Sequence, residues 1–142
     1  MSILLARHPS PILYRLPDMR ALLIVVGLLA TVALASVVKL DNSNFDAIVL
    51  DANKHVFVKF FAPWCGHCTR MAPAWEELAK AETKEDVVIA ELDADANRDA
   101  AQRHGIRGFP TIKLFTKTDK AGKAYQGARD GPSLTAFLKA NV

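Results

Sequence analysis

A chain of 142 residues is sized for one domain, and an apolar content of 51% is enough for a globular core. Of the formal net charge of +3, residues 1–35 hold +2 (Arg7, Arg15 and Arg20 against Asp18), which leaves +1 on the remainder. Acidic and basic side chains are mixed along that remainder, and without a basic stripe to neutralise phosphates a nucleic-acid partner is disfavoured.

Ala21 to Val38 is an almost unbroken apolar run, interrupted by Gly27, Thr31 and Ser36. Arg15 and Arg20 precede it, and Ala33-Leu34-Ala35 places small residues where a signal peptidase reads. Together these features predict a secretory signal peptide over residues 1–35, cleaved before Ser36. Met19 can serve as the start, which shortens the region ahead of the apolar run. The alternative is an uncleaved anchor, since a spanning helix needs about 20 apolar residues and this run falls slightly short. A buried core helix is disfavoured because the run is apolar on every face. Cleavage leaves residues 36–142 as the domain, with no stable membrane association.

Val37 to Leu40 reads as a short strand, and Asp41-Asn42-Ser43 supplies turn and cap chemistry. Phe45, Ile48 and Val49 then recur at helical spacing. His55 to Ala62 is strongly apolar, as in a central strand buried on both faces, and Pro63 ends it. Gly66 to Thr83 is helical, with Met71, Trp75, Leu78 and Ala79 on one face and Pro73 inside, where a kink is expected. Trp75 belongs to the core. Val87 to Leu92 is a strand, and Asp93 and Asp95 read as a solvated loop and cap. A short helix over Asn97 to Arg103 ends at Gly105. Thr111 to Phe115 is a strand, Lys117 to Gly122 a polar turn, and Lys123 to Tyr125 the last strand. Ser133 to Ala140 closes the chain as a helix. This alternation predicts an α/β fold, a central mixed β-sheet flanked by helices on both faces.

The chain has two cysteines, Cys65 and Cys68, three residues apart. A disulfide between them closes a tiny loop and removes little unfolded-state entropy. The pair is a poor staple, so its chemistry is the better reason for it. Zinc would want four ligands, and His55, His67 and His104 lack paired spacing. Covalent haem would need a histidine after Cys68, where Thr69 stands. No metal or organic cofactor is expected.

Phe61-Ala62-Pro63-Trp64-Cys65-Gly66-His67-Cys68 resembles the active site of the catalytic domains of protein disulfide isomerases, which are built on a thioredoxin fold. Gly105 to Ile112 resembles that family's cis-proline loop, and Tyr125 to Arg129 its last strand and turn. The similarity runs from about residue 37 to the end. It implies a thiol–disulfide oxidoreductase that forms, reduces and rearranges disulfides, with Cys65 as nucleophile and Cys68 as resolving thiol. It also implies a cis bond before Pro110, with Phe109 and Pro110 as a substrate rail.

The residues support this chemistry directly. Cys65 stands where a strand gives way to a helix, so free N–H groups and the helix dipole stabilise its thiolate. Gly66 keeps the turn narrow. His67, as imidazolium, would add positive charge, stabilise the reduced form and make the disulfide more oxidising. Trp64 is expected on the substrate-facing surface. Arg107 aligns with a family arginine that swings towards the second cysteine; the alternative is a solvated loop residue. Lys59 departs from the family, which usually has a buried proton-relaying carboxylate there. A neutral Lys59 amine could accept the Cys68 proton, a charged one could stabilise its thiolate, or the side chain could snorkel to solvent.

The resemblance implies cysteine-containing unfolded or misfolded proteins as substrates, and a partner oxidase or glutathione to reoxidise the pair. It places the protein in the endoplasmic reticulum lumen or secretory pathway. The terminal Lys139-Ala140-Asn141-Val142 is not K-D-E-L-like, so secretion is also open. Two competing functions are a chaperone-like module that forms mixed disulfides and a general reductant of the thioredoxin kind.

Overall fold

The computed structural model describes residues 36–142. The predicted signal peptide, residues 1–35, lies outside them. The described residues form five strands and four helices: β1 (Val38–Leu40), α1 (Phe45–Val49), β2 (His55–Phe61), α2 (Gly66–Ala81), β3 (Val87–Asp93), α3 (Arg98–Arg103), β4 (Thr111–Phe115), β5 (Lys123–Ala124) and α4 (Gly131–Asn141). The strands make one sheet in the order β1-β3-β2-β4-β5. β1, β3 and β2 are parallel, while β4 and β5 pair antiparallel at one edge.

Strand β2 lies at the centre, and its pleat separates two cores. Val56, Val58 and Phe60 pack with Phe45 and Val49 of α1, Ala100 and Ala101 of α3, and Phe115. Phe57, on the other face, packs with Met71, Trp75 and Leu78 of α2 and Leu134 and Leu138 of α4. Helices therefore cover both faces, as the alternation of elements predicts. Each fully buried large apolar side chain contributes about 1.5–3 kcal/mol. Phe57 and Phe60 are both completely buried, so β2 is held hard from both sides.

Helix α2 buries Cys68, Met71, Trp75, Leu78 and Ala79, one stripe along its length, and runs through Pro73. The Trp75 indole donates to the Ala90 carbonyl of β3 at 3.2 Å, which locks the helix to the sheet. Helix α4 begins at Gly131, two residues before the expected start. The reason is Asp130, whose carboxylate accepts from the Ser133 N–H at 2.8 Å and caps the helix. The last strand is two residues long rather than three, although the Tyr125 N–H still donates to the Ile112 carbonyl at 2.9 Å. Gly122 adopts φ +86°, and a Cβ there would stand 2.6 Å from the Phe115 ring, so this turn requires glycine.

Candidate functional site

The parallel strand β2 delivers the chain to the N-terminus of α2. Ala62 and Pro63 turn it, and the Cys65 N–H donates to the Ala62 carbonyl at 3.1 Å. Cys65 is the N-cap of α2, with extended backbone at φ −80° and ψ 104°. Its sulfur takes the place of a capping oxygen and accepts the Cys68 N–H at 3.2 Å. Cys68 lies one turn on, with its Cα 5.3 Å from that of Cys65, and the two are joined as a disulfide. Both are buried in this oxidised form, Cys65 with 6% and Cys68 with 4% of its surface accessible. The Cys68 N–H and the positive end of the helix dipole face the Cys65 sulfur, an arrangement that stabilises a thiolate there.

Three expected neighbours close around the pair. Phe109 packs on the cluster of Ala62, Cys65 and Cys68. Trp64 stands edge-on to Phe109 with ring centroids 5.8 Å apart, and is 72% exposed. The Phe109–Pro110 bond is cis, as the resemblance implies, and Pro110 is buried. Thr111 closes this loop by donating to the Gly108 carbonyl at 2.7 Å. Gly66 and His67 are exposed beside the disulfide. Arg107 is exposed and has no ion pair among the described residues, so its placement matches the solvated-loop alternative. Also among the described residues, no three His, Cys, Asp or Glu side chains converge as a metal site.

Lys59 does not snorkel to solvent. It is 3% exposed, and its Nζ lies 2.8 Å from Glu91 Oε2. Lys59 and Glu91 stand directly opposite each other in the parallel β2–β3 pair. The ammonium also sits 5.2 Å from the Phe61 ring centroid and 5.8 Å from that of Trp75, within cation–π range. Phe61 packs in turn on the cysteine cluster. At this point of the sheet the carboxylate stands on the neighbouring strand, as Glu91, paired with Lys59. Glu91 is the more open partner, its side chain 20% exposed against 4% for Lys59, and it lines a solvent-facing depression of about 320 Å³ with Lys39, Glu76 and Lys80.

Two further residues escape the sequence reading. Asp95 is more than a loop acid, because its Oδ2 accepts the Trp64 indole N–H at 2.5 Å and fixes the exposed ring. Asp93 does act within the loop, accepting from the Asp95 and Ala96 N–H groups. Arg70, one turn beyond His67, places Nη2 2.6 Å from His67 Nδ1. An arginine only donates, so as a hydrogen bond this contact uses Nδ1 as its acceptor.

Comparison with known proteins agrees with this geometry. Residues 36–140 match the family described as Thioredoxin. The chain is 50% identical over 111 residues to "Protein disulfide isomerase-like 2-2" of Oryza sativa subsp. japonica, covering 78% of this chain and 30% of that protein. It is 48% identical over 119 residues to "Protein disulfide-isomerase erp38" of Neurospora crassa, covering 82% and 32%. Among solved structures, the first thioredoxin domain of mouse protein disulfide-isomerase A4 superposes with a TM-score of 0.63 at 32% identity, covering 72% of each chain. The zinc-bound form of human ERp44 superposes with a TM-score of 0.66 at 30% identity, covering 74% of this chain and 30% of that one. The chain spans about a third of the length of these two curated relatives.

Proposed function

This chain belongs to the thioredoxin family, and on that premise we propose that it is a thiol–disulfide oxidoreductase of the protein disulfide isomerase type. The observation that carries the reading is the Cys65–Cys68 pair across the first turn of α2, with the Cys65 sulfur capping the helix. The relatives named as disulfide isomerases, about half identical over most of the described domain, support it.

In the oxidising direction a substrate thiolate attacks Cys65 Sγ, the S–S bond breaks, and Cys68 leaves with the electron pair. A second substrate thiolate then attacks the mixed disulfide, closes the substrate disulfide and expels Cys65 as a thiolate held by the helix N-terminus. In the reverse direction the Cys65 thiolate opens a substrate disulfide and Cys68 resolves the intermediate. Trp64 and Phe109 form the surface against which the substrate segment lies, the buried Pro110 sets the loop beneath it, and free main-chain groups beside Pro110 receive the segment edge-on. The Lys59–Glu91 pair tunes Cys68 from beneath through the Phe61 contact, and Arg107 borders the loop.

Residues 36–142 act as the catalytic domain, and residues 1–35 direct it to the secretory pathway and the endoplasmic reticulum lumen. Its substrates there are cysteine-containing unfolded or misfolded proteins, and an oxidase or the glutathione couple restores its disulfide. Refolding of reduced and of scrambled ribonuclease tests the reading. The wild-type domain is expected to accelerate both, and the Cys65→Ser/Cys68→Ser variant neither. Equal rates for the two proteins would leave binding alone.

A further inference from the structure

Resting on the reading of Cys65–Cys68 as a redox couple, we propose that Arg70 is a positioning residue for that couple. Its guanidinium holds His67 as the Nε2–H tautomer and supplies the standing positive charge at the nucleophile. Two observations and the chemistry of guanidinium carry this. Arg70 Nη2 lies 2.6 Å from His67 Nδ1. Guanidinium has five donors and no acceptor and stays charged at any working pH, so the Nδ1 lone pair receives the bond and the ring proton sits on Nε2. Arg70 Nη1 also reaches within 3.7 Å of where a Cβ on Gly66 would stand. The guanidinium therefore lies back along the helix, over Gly66 and His67, the two residues that follow Cys65.

This placement runs against the helix dipole, which disfavours a cation at an N-terminus. In the oxidised protein the His67 bond offsets that cost. In the reduced protein the Cys65 thiolate adds an anion beside the same group. The charge thus favours the reduced form over the oxidised one, and Arg70 makes the disulfide a stronger oxidant. The couple balances as follows. Two glutathione thiols give up two electrons and two protons and become glutathione disulfide. The Cys65–Cys68 bond takes both electrons and breaks, Cys68 takes one proton, Cys65 remains a thiolate, and one proton leaves to solvent.

The test is equilibration of residues 36–142 with defined glutathione mixtures at pH 7, for wild type, Arg70→Ala and Arg70→Lys. Arg70→Ala is expected to move the equilibrium constant about threefold to tenfold towards the disulfide, which is about 15–30 mV for a two-electron couple. Arg70→Lys is expected to stay within about twofold of wild type, because the charge is kept. Nitrogen-15 spectra of the wild type are expected to show His67 Nδ1 without a proton and Nε2 with one. An unshifted constant in Arg70→Ala, or a proton on Nδ1, would overturn the assignment while leaving the redox reading intact. A wild type with no reversible couple against glutathione would overturn both.

Discussion

Lys59 and Glu91 face each other across the parallel β2–β3 pair, with Nζ 2.8 Å from Oε2 and 5.8 Å from the ring centroid of Trp75 in α2. The burial of the two partners is unequal, and the stability of single variants follows from that. Glu91→Gln leaves a lysine ammonium in a dry site without its counter-charge. Lys59→Met leaves a carboxylate that can turn to water. Removing one partner of a buried pair costs about 3–5 kcal/mol, and the partial exposure of Glu91 puts this pair at the low end. Glu91→Gln is therefore expected to lose about 3 kcal/mol in urea unfolding and Lys59→Met clearly less. The exchanged variant, Lys59→Glu/Glu91→Lys, is expected to recover most of the loss. Equal costs for both single variants would mean the two sites are equally wet.

The two cysteines are expected to fail differently. Cys65→Ser removes the helix-capping sulfur and abolishes exchange with substrate. Cys68→Ser keeps the nucleophile and loses the group that releases substrate, so mixed disulfides accumulate. Non-reducing electrophoresis after incubation with reduced, unfolded ribonuclease and oxidised glutathione reads this directly. Adducts with Cys65→Ser in place of Cys68→Ser would reverse the two roles.

Asp95 holds the exposed Trp64 ring through the indole N–H. A partly exposed bond of this kind contributes about 1 kcal/mol, so freeing the ring is expected to raise KM for a peptide substrate about fivefold with little change in kcat. Asp95→Asn, which keeps an acceptor, is expected to fall between. A change in kcat alone would place Asp95 in the chemical step instead.

Acid is expected to destabilise the domain before its carboxylates protonate. Burial holds His104 below the ordinary histidine value of 6.5, with Lys113 and Arg103 pressing the same way against Asp46. Burial also lowers His55, followed by the charge of Lys117. In both cases the unfolded chain binds protons more readily than the folded one, so stability is full above pH 6.5 and falls as pH drops through and below it. The carboxylates held low, Asp41, Asp86 and Asp130, act below their ordinary 3.8, outside that window. Tm is expected to fall between pH 7.5 and 5.5, and to fall less in His104→Gln, which cannot titrate. An unchanged slope in that variant would remove His104 from the account.

Fold and chemistry were legible in the sequence to different depths. Apolar runs such as His55 to Ala62 and the stripe of Met71, Trp75 and Leu78 carry their own periodicity, so strands and helices could be placed to within a residue or two. The start of α4 moved because Asp130, an acid outside the apolar pattern, caps it. Cys65, Trp64 and the proline loop carry a local motif. Glu91, Asp95 and Arg70 do not. Glu91 matters because strand register sets it opposite Lys59, the one lysine of β2, and register depends on the folded sheet. Asp95 reaches Trp64 across 31 residues of chain. Arg70 was within reach, since residues three apart on a helix are neighbours, but a charged helical position reads first as solvated surface.

The reduction potential of the Cys65–Cys68 pair in residues 36–142 tests the central claim most directly. A helix-capping Cys65 thiolate with a cation beside it stabilises the reduced form, and the expected value at pH 7 lies near about −180 mV, the region of disulfide isomerases. A value near about −270 mV, that of thioredoxin, would contradict the account and make the protein a reductant.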